Sequence, residues 1–323
     1  MNTTEIQAVA AKLRHNIQQV IIGKEETIDL LLVALFSSSH VLLDDVPGMG
    51  KTMIAKALAK SLGGTFKRIQ FTPDLLPTDI TGLHFYNQKL GEFEFRAGPL
   101  FANVVLADEI NRATPRTQSS LLECMEERQI TIDGDTHSLE RPFLVIATQN
   151  PVESQGTFPL PEAQLDRFLL KVSLGYPTKE EGLSILKRFK RANPLEQLES
   201  VVTIETIARA QESFSAVEVS DDLLGYILDI VDKTRSYQGV ELGISPRGSQ
   251  ALLKAVQVYA ILKGREYVLP DDVKAMLKPV FSHRMVLDRA FRGKGNSVET
   301  VLDQIVEQVT VPTEEELVEG TGN

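Results

Sequence analysis

Apolar residues open the chain at helical spacing, with Ile6, Val9, Ala10, Leu13 and Ile17 falling on one helix face. Residues 4–36 read as two helices broken near Ile22-Gly23. Across residues 40–174 the pattern changes to short β-rich runs alternating with helical ones. The runs lie at 41–43, 68–71, 104–106, 143–147 and 169–174. Strands alternating with helices predict a mostly parallel sheet covered on both faces. Residues 143–147 are apolar throughout, as a strand buried on both sides requires.

Two stretches interrupt that alternation. Between Leu83 and Arg96, Phe85, Phe93 and Phe95 flank a polar turn ending at Gly91. Further on, Ile130 and Ile132 precede Asp133-Gly134, a strong hairpin signal. Both predict β-hairpins inserted into the α/β core. After Tyr176-Pro177 no strand is expected, and residues 178–191, 203–214, 221–237, 246–263 and 271–289 read as helices. Ser245 before Pro246, and the pair Pro270-Asp271, are start signals, and Gly264 is a stop. The expected organisation is an α/β domain over residues 1–176, a smaller all-α domain over 177–311, and a disordered acidic tail over 312–323.

Composition narrows the class. With 42% apolar and 24% charged residues, the chain has the profile of a soluble globular protein. A net charge of −10 argues against nucleic acid or anionic lipid as partners of the surface as a whole. Cys124 is the one cysteine, so no intramolecular disulfide can form, and its helical surroundings suggest a small core or interface residue. The five histidines show no ligand spacing, which argues against a zinc site. The first residues lack a signal-peptide pattern and the longest apolar run, 30–36, is too short for a bilayer, so a cytoplasmic location is expected.

The chemistry begins at Asp45-Val46-Pro47-Gly48-Met49-Gly50-Lys51-Thr52, between an apolar strand and a helical run. A phosphate chain needs converging backbone N–H groups, which glycines allow by close wrapping and a helix start supplements with its dipole. Lys51 suits the β- and γ-phosphates and the Thr52 hydroxyl suits magnesium. Asp45 stands where the phosphate-loop pattern has its first glycine; that position belongs to the strand end rather than to the turn around phosphate.

A second apolar strand delivers Asp108 and Glu109 to its C-terminal end, where ligands bind in open parallel sheets. Asp108 would hold magnesium and Glu109 would orient the attacking water. Asn150, at the end of the buried 143–148 strand, is placed to hold that water or sense the γ-phosphate. Arg167 and Arg247 are candidates for stabilising charge on the transferring phosphoryl group, often from a neighbouring subunit. Arg247 sits in a first helical turn, where it opposes the dipole, a misfit that points beyond helix stability.

With these residues in place, the chain resembles the AAA+ ATPase superfamily and specifically its MoxR family. The resemblance runs from Ile22-Gly23 to the helices after Pro270. It rests on Phe71-Thr72-Pro73-Asp74-Leu75-Leu76-Pro77, Phe95-Arg96-Ala97-Gly98-Pro99, Ala107-Asp108-Glu109-Ile110-Asn111-Arg112, Ala147-Thr148-Gln149-Asn150-Pro151 and the run from Leu160-Pro161-Glu162 through Asp166-Arg167-Phe168. It implies a P-loop NTPase core followed by a helical lid. Implied ATP contacts are Val46, Pro47, Gly48, Met49, Gly50, Lys51, Thr52 and Met53, with Ile22 and Gly23 near the adenine and Thr52 and Asp108 on Mg2+.

Among catalytic residues the resemblance implies Glu109, Asn150 as sensor 1, Arg247 as sensor 2 and Arg167 as arginine finger, with Arg112 as a competitor. It further implies a homo-oligomeric ring, usually hexameric, with ATP between subunits. The two hairpins resemble inserts that face the pore in related rings. The implied function is ATP-driven remodelling or activation of partner proteins, the expected client carrying a von Willebrand factor A domain, sometimes with metal insertion. A nucleic-acid-directed motor and a chelatase-like ATPase subunit are the alternatives, Lys89 near a hairpin tip being the one residue that favours nucleic acid.

Overall fold

The computed structural model describes residues 1–150, 156–190 and 193–312, so the expected acidic tail lies outside the described residues apart from Pro312. Helix α1 (Thr3–Gln18) starts with a reciprocal cap, in which the Asn2 side chain accepts from the Glu5 N–H and the Glu5 carboxylate accepts from the Asn2 N–H. The break expected at Ile22-Gly23 is present: Gly23 and Lys24 both have positive φ, and α2 (Glu25–Phe36) follows, almost wholly buried.

The α/β part then runs β1 (Val41–Asp44), α3 (Lys51–Ser61), β2 (Phe66–Gln70), α4 (Pro77–Thr81), β3 (Gly82–Asn87), β4 (Glu92–Ala97) and β5 (Val104–Asp108). It continues through α5 (Pro115–Glu127), β6 (Gln129–Ile132), β7 (Asp135–Ser138), β8 (Leu144–Gln149), α6 (Glu162–Leu165) and β9 (Leu170–Val172). The central sheet has the order β2-β5-β8-β1-β9 and every pairing is parallel. Alternate residues feed two different cores. Val41, Leu43, Val104, Leu106, Leu144 and Ile146 join a cluster with α1, α2 and α3, whereas Leu42, Val105, Ala107, Val145 and Ala147 pack with α5. Each of these valine, leucine and isoleucine side chains, fully buried, contributes about 1.5–3 kcal/mol relative to exposure.

β3–β4 and β6–β7 are the two expected hairpins, the second turning at Asp133-Gly134 with positive φ at both residues. They lean on each other: the Phe95 ring stacks on His137 at 4.2 Å between centroids, and His84 Nδ1 lies 3.1 Å from the Asp133 carboxylate. Cys124 is buried in α5, and desolvation pushes its thiol up to about 12, so it is an inert core group.

The second part comprises α7 (Lys179–Phe189), α8 (Ile204–Gln211), α9 (Asp221–Ser236), β10 (Val240–Leu242), α10 (Pro246–Leu262), α11 (Pro270–Phe281), β11 (Val286–Leu287), α12 (Arg289–Arg292) and α13 (Val298–Gln308). Three features differ from the sequence reading. Strands do not stop at Tyr176-Pro177, because β10 and β11 form an antiparallel ribbon. The single helix read over 271–289 ends at Phe281, because His283 and Arg284 turn back to bond carbonyls of the α/β part. Helix α13, to which the sequence reading assigns no element, is capped by Ser297 and buries Val301, Leu302 and Ile305.

His40, just before β1, ties β8 to α5. Its Nδ1 accepts from the Val145 N–H at 3.0 Å and its Nε2 bonds the Met125 carbonyl at 3.0 Å, which requires the neutral ring. Burial, reinforced by nearby Arg128, pushes its pKa down to about 4. Between about pH 6.5 and pH 4 the unfolded chain therefore binds a proton at this site that the native chain refuses, so stability falls as pH is lowered. Urea unfolding at pH 7 and pH 5 is expected to show a loss of about 2 kcal/mol from this group, and His40→Asn is expected to flatten that part of the slope.

Candidate active site

Parallel strands in register bring the C-terminal ends of β1, β8 and β5 to one edge of the sheet, with Asp44 opposite Gln149 and Ala107 opposite Ala147. The loop between β1 and α3 turns on Gly48 and Gly50, both left-handed at φ 86° and 88°. A Cβ built at either would meet no atom within 4 Å, so the loop presents bare backbone to open space. Gly50 caps α3 and no side chain satisfies the first-turn N–H groups, which leaves them to an anion. The Lys51 ammonium donates to the Asp45 carbonyl at 2.7 Å, and burial lowers its pKa from the ordinary lysine range.

Asp45 has a definite task. Its buried carboxylate accepts from the Ser173 hydroxyl at 2.9 Å and from the Leu174 N–H at 2.5 Å. The acid at the first motif position therefore pins the phosphate loop to the end of β9, which the motif alone does not suggest.

Across the cavity, Thr148 of β8 organises the two acids of β5. Its hydroxyl donates to Asp108 Oδ1 at 2.6 Å and accepts from the Glu109 N–H at 2.9 Å. Asp108 Oδ2 accepts from Arg68, at 2.6 Å from Nη2. Glu109, itself at φ 57°, takes Gln70 Nε2 at 2.7 Å and Arg112 Nη1 at 3.1 Å on Oε2. Arg68 and Gln70 were not singled out in the sequence, although they alternate along β2 and so share one face of the strand beside β5.

These groups enclose a cavity of about 410 Å3. Pro47, Gly48, Gly50, Lys51, Thr52 and Met53 line one side; Asp108, Glu109 and Asn150, with Arg68 and Gln70, line the other. Lys51 and Asp108 thus share one space. Val46 and Met49 belong to the loop without lining the cavity. Ile22 and Gly23 do not line it either: Gly23 lies against the Glu181 carboxylate of α7, which a Cβ at that position would strike at 2.0 Å.

Arg167 and Arg247 meet each other elsewhere. Arg167 Nη1 donates to the Leu122 carbonyl at 2.9 Å and pairs with Glu126 at 2.9 Å, while Arg247 pairs with the other oxygen of Glu126. Both line a separate cavity of about 300 Å3. Arg247, expected as sensor 2, lies beside Arg167 and does not line the phosphate-loop cavity of its own subunit. The start of α10 is drawn toward the end of α5 by Glu126 and toward Asp166 by the Ser245 hydroxyl, at 3.2 Å, and not toward the phosphate loop.

The residues fit a triphosphate with Mg2+. Among the described residues no group of three or more His, Cys, Asp or Glu could hold a metal by itself. The Thr52 hydroxyl and the Asp108 carboxylate supply hard oxygen donors of the kind Mg2+ uses together with phosphate oxygens and water.

The chain is similar to known proteins. Residues 40–170 match the family model of the ATPase family associated with various cellular activities (AAA), and residues 232–305 match that of the AAA lid domain. The uncharacterised protein YeaC of Bacillus subtilis is 49% identical, over 96% of this chain and 97% of its own length. The chaperone MoxR1 of Mycobacterium tuberculosis is 41% identical, over 92% of this chain and 80% of its own. A crystal structure from Cytophaga hutchinsonii, assigned to an ATPase, superposes with a TM-score of 0.90 at 36% identity, covering 96% of this chain and 97% of that one.

Replacing Asp45 by Ala strands the buried N–H of Leu174 and loosens the loop from β9. Denaturant unfolding is expected to register a loss of about 2 kcal/mol, with Asp45→Asn losing less.

Proposed function

Because the chain belongs to the MoxR family of AAA+ ATPases, we propose that it hydrolyses ATP with Mg2+ and uses the cycle to remodel or activate client proteins. The observation that carries this reading is the single cavity shared by Lys51, Thr52, Asp108, Glu109 and Asn150. The glycine loop and the start of α3 bind the phosphates, with Lys51 leaving the Asp45 carbonyl for the β- and γ-oxygens. Thr52 and Asp108 would hold Mg2+, which supplies neutralising charge to those oxygens. Glu109, with Oε2 held by Gln70 and Arg112, accepts from the attacking water through its other oxygen. As water attacks the γ-phosphorus and ADP leaves, Glu109 takes the proton; Asn150 orients the γ-phosphate.

Neither Arg167 nor Arg247 lines this cavity, and Arg68, which does, is paired with Asp108. Supply of Arg167, with Arg247 beside it, by a neighbouring subunit completes the site and makes the active form a ring, hexameric by family resemblance. Arg112 is the weaker candidate, since the Glu109 it pairs with is the acid assigned to the attacking water of its own subunit. In this reading residues 1–176 bind nucleotide, residues 177–311 form the lid, and the paired hairpins face the pore. The expected client carries a von Willebrand factor A domain, with metal insertion as one form of maturation. No helix among the described residues is long and apolar enough to cross a membrane, and we place the protein in the cytoplasm.

Equilibrium ATP binding and steady-state turnover test the roles. Lys51→Ala is expected to abolish binding. Glu109→Gln is expected to bind ATP like the parent and to lose about 100-fold to 1,000-fold in turnover; parental turnover in that variant refutes the role of Glu109. Arg167→Ala is expected to leave the affinity of a lone subunit intact and to lower turnover of the assembly by about 1,000-fold. Co-assembly of Arg167→Ala with Glu109→Gln subunits is expected to restore activity, and its failure to do so removes the trans-acting role.

A further inference from the structure

Arg284 follows α11 and is only 6% exposed. Its guanidinium reaches out of the helical part into the segment that carries Arg167. Nε donates to Asp166 Oδ1 at 2.6 Å, and Nη2 donates to the Asp166 carbonyl at 3.0 Å and the Phe168 carbonyl at 2.6 Å. Nη1 donates to the Leu169 carbonyl at 3.0 Å and to the Val280 carbonyl of α11. His283 Nε2 adds a bond to the Phe168 carbonyl at 2.9 Å. The residues on either side of Arg167 are thus gripped by one side chain of the lid.

Two further links attach the same segment to the lid. Asp166 Oδ2 accepts from Ser245, the N-cap of α10, and the Arg167 side chain shares Glu126 with Arg247 from the first turn of α10. Burying a guanidinium carries a desolvation penalty that its partners must offset, and apolar residues of similar volume often dock two elements at least as stably. What the planar fork adds is direction, since its donors fix both the position and the orientation of the carbonyls they meet.

We propose that Arg284 is a positioning residue for hydrolysis at the neighbouring subunit: through it the lid carries the 165–169 segment and sets where Arg167 points. The inference rests on the trans-acting reading of Arg167. Any displacement of the lid then moves the arginine offered to the next site in the ring, which gives a mechanical route for coordinating adjacent subunits.

The test uses Arg284→Lys, which keeps the charge and loses the fork, and Asp166→Asn, which keeps an oxygen for Nε and loses the charge. In the assembled protein both are expected to retain the parental oligomer by sedimentation and the parental KM for ATP within about twofold. Turnover is expected to fall on the order of tenfold to 100-fold, the scale of an ångström-sized misplacement. Co-assembly with Glu109→Gln subunits, whose own arginines are intact, is expected to restore turnover; a merely structural lesion is not rescued this way. Parental turnover in both variants, or loss of the oligomer in both, overturns the inference. So does a defect that Glu109→Gln partners fail to rescue while they rescue Arg167→Ala. If Arg167→Ala itself is not rescued, the trans-acting reading falls and this inference with it.

Discussion

The structure depends on the parallel register of β5, β8 and β1, because that register decides which side chains arrive together at the sheet edge. Thr148 stands opposite the end of β5, and its hydroxyl ties the Asp108 carboxylate to the Glu109 N–H. A shift of one residue would turn Thr148 to the other face of the sheet and break both of these bonds. The same register sets Asp44 against Gln149, so the phosphate loop leaves β1 beside the strand that leads into Asn150. The strands tolerate no slip because both of their faces are buried, each residue parity feeding a different core.

The charged groups fall into two separate places. The phosphate-loop cavity gathers Asp108 and Glu109 with Lys51, Arg68 and backbone donors, while Arg167, Arg247 and Arg284 gather around Glu126 and Asp166 at the junction with the lid. That junction is polar and directional. The apolar cluster, by contrast, runs from α1 and α2 into α10 and α11 and supplies the adhesion between the two parts. Separating adhesion from direction lets the polar contacts specify geometry without having to hold the fold together.

Much of this was legible in the sequence wherever the signal is local. Strand runs, the two hairpin turns, the Ser245 and Pro270 helix starts and the glycine loop all follow from periodicity or turn chemistry, and the structure realises each of them. What escaped is set by partners distant in the chain. Asp45 resembles a motif defect until β9 supplies the N–H groups that bind it. Arg68 and Gln70 look like polar residues of an edge strand until β5 lies beside them. The end of α11 carries no glycine; it is made by His283 and Arg284 bonding to Phe168, more than a hundred residues earlier. The β10–β11 ribbon joins two runs too short to register as strands alone.

The central claim is that one nucleotide is held by Lys51 and Asp108 of one subunit and met by Arg167 of the next. A structure of the Glu109→Gln assembly determined with Mg2+ and ATP tests it most directly. The account predicts triphosphate along Gly48, Gly50 and Lys51, with the neighbour's Arg167 turned from Glu126 to the γ-phosphate. Triphosphate bound outside that loop, or occupied sites in a closed assembly with every Arg167 still on its own Glu126, would contradict it.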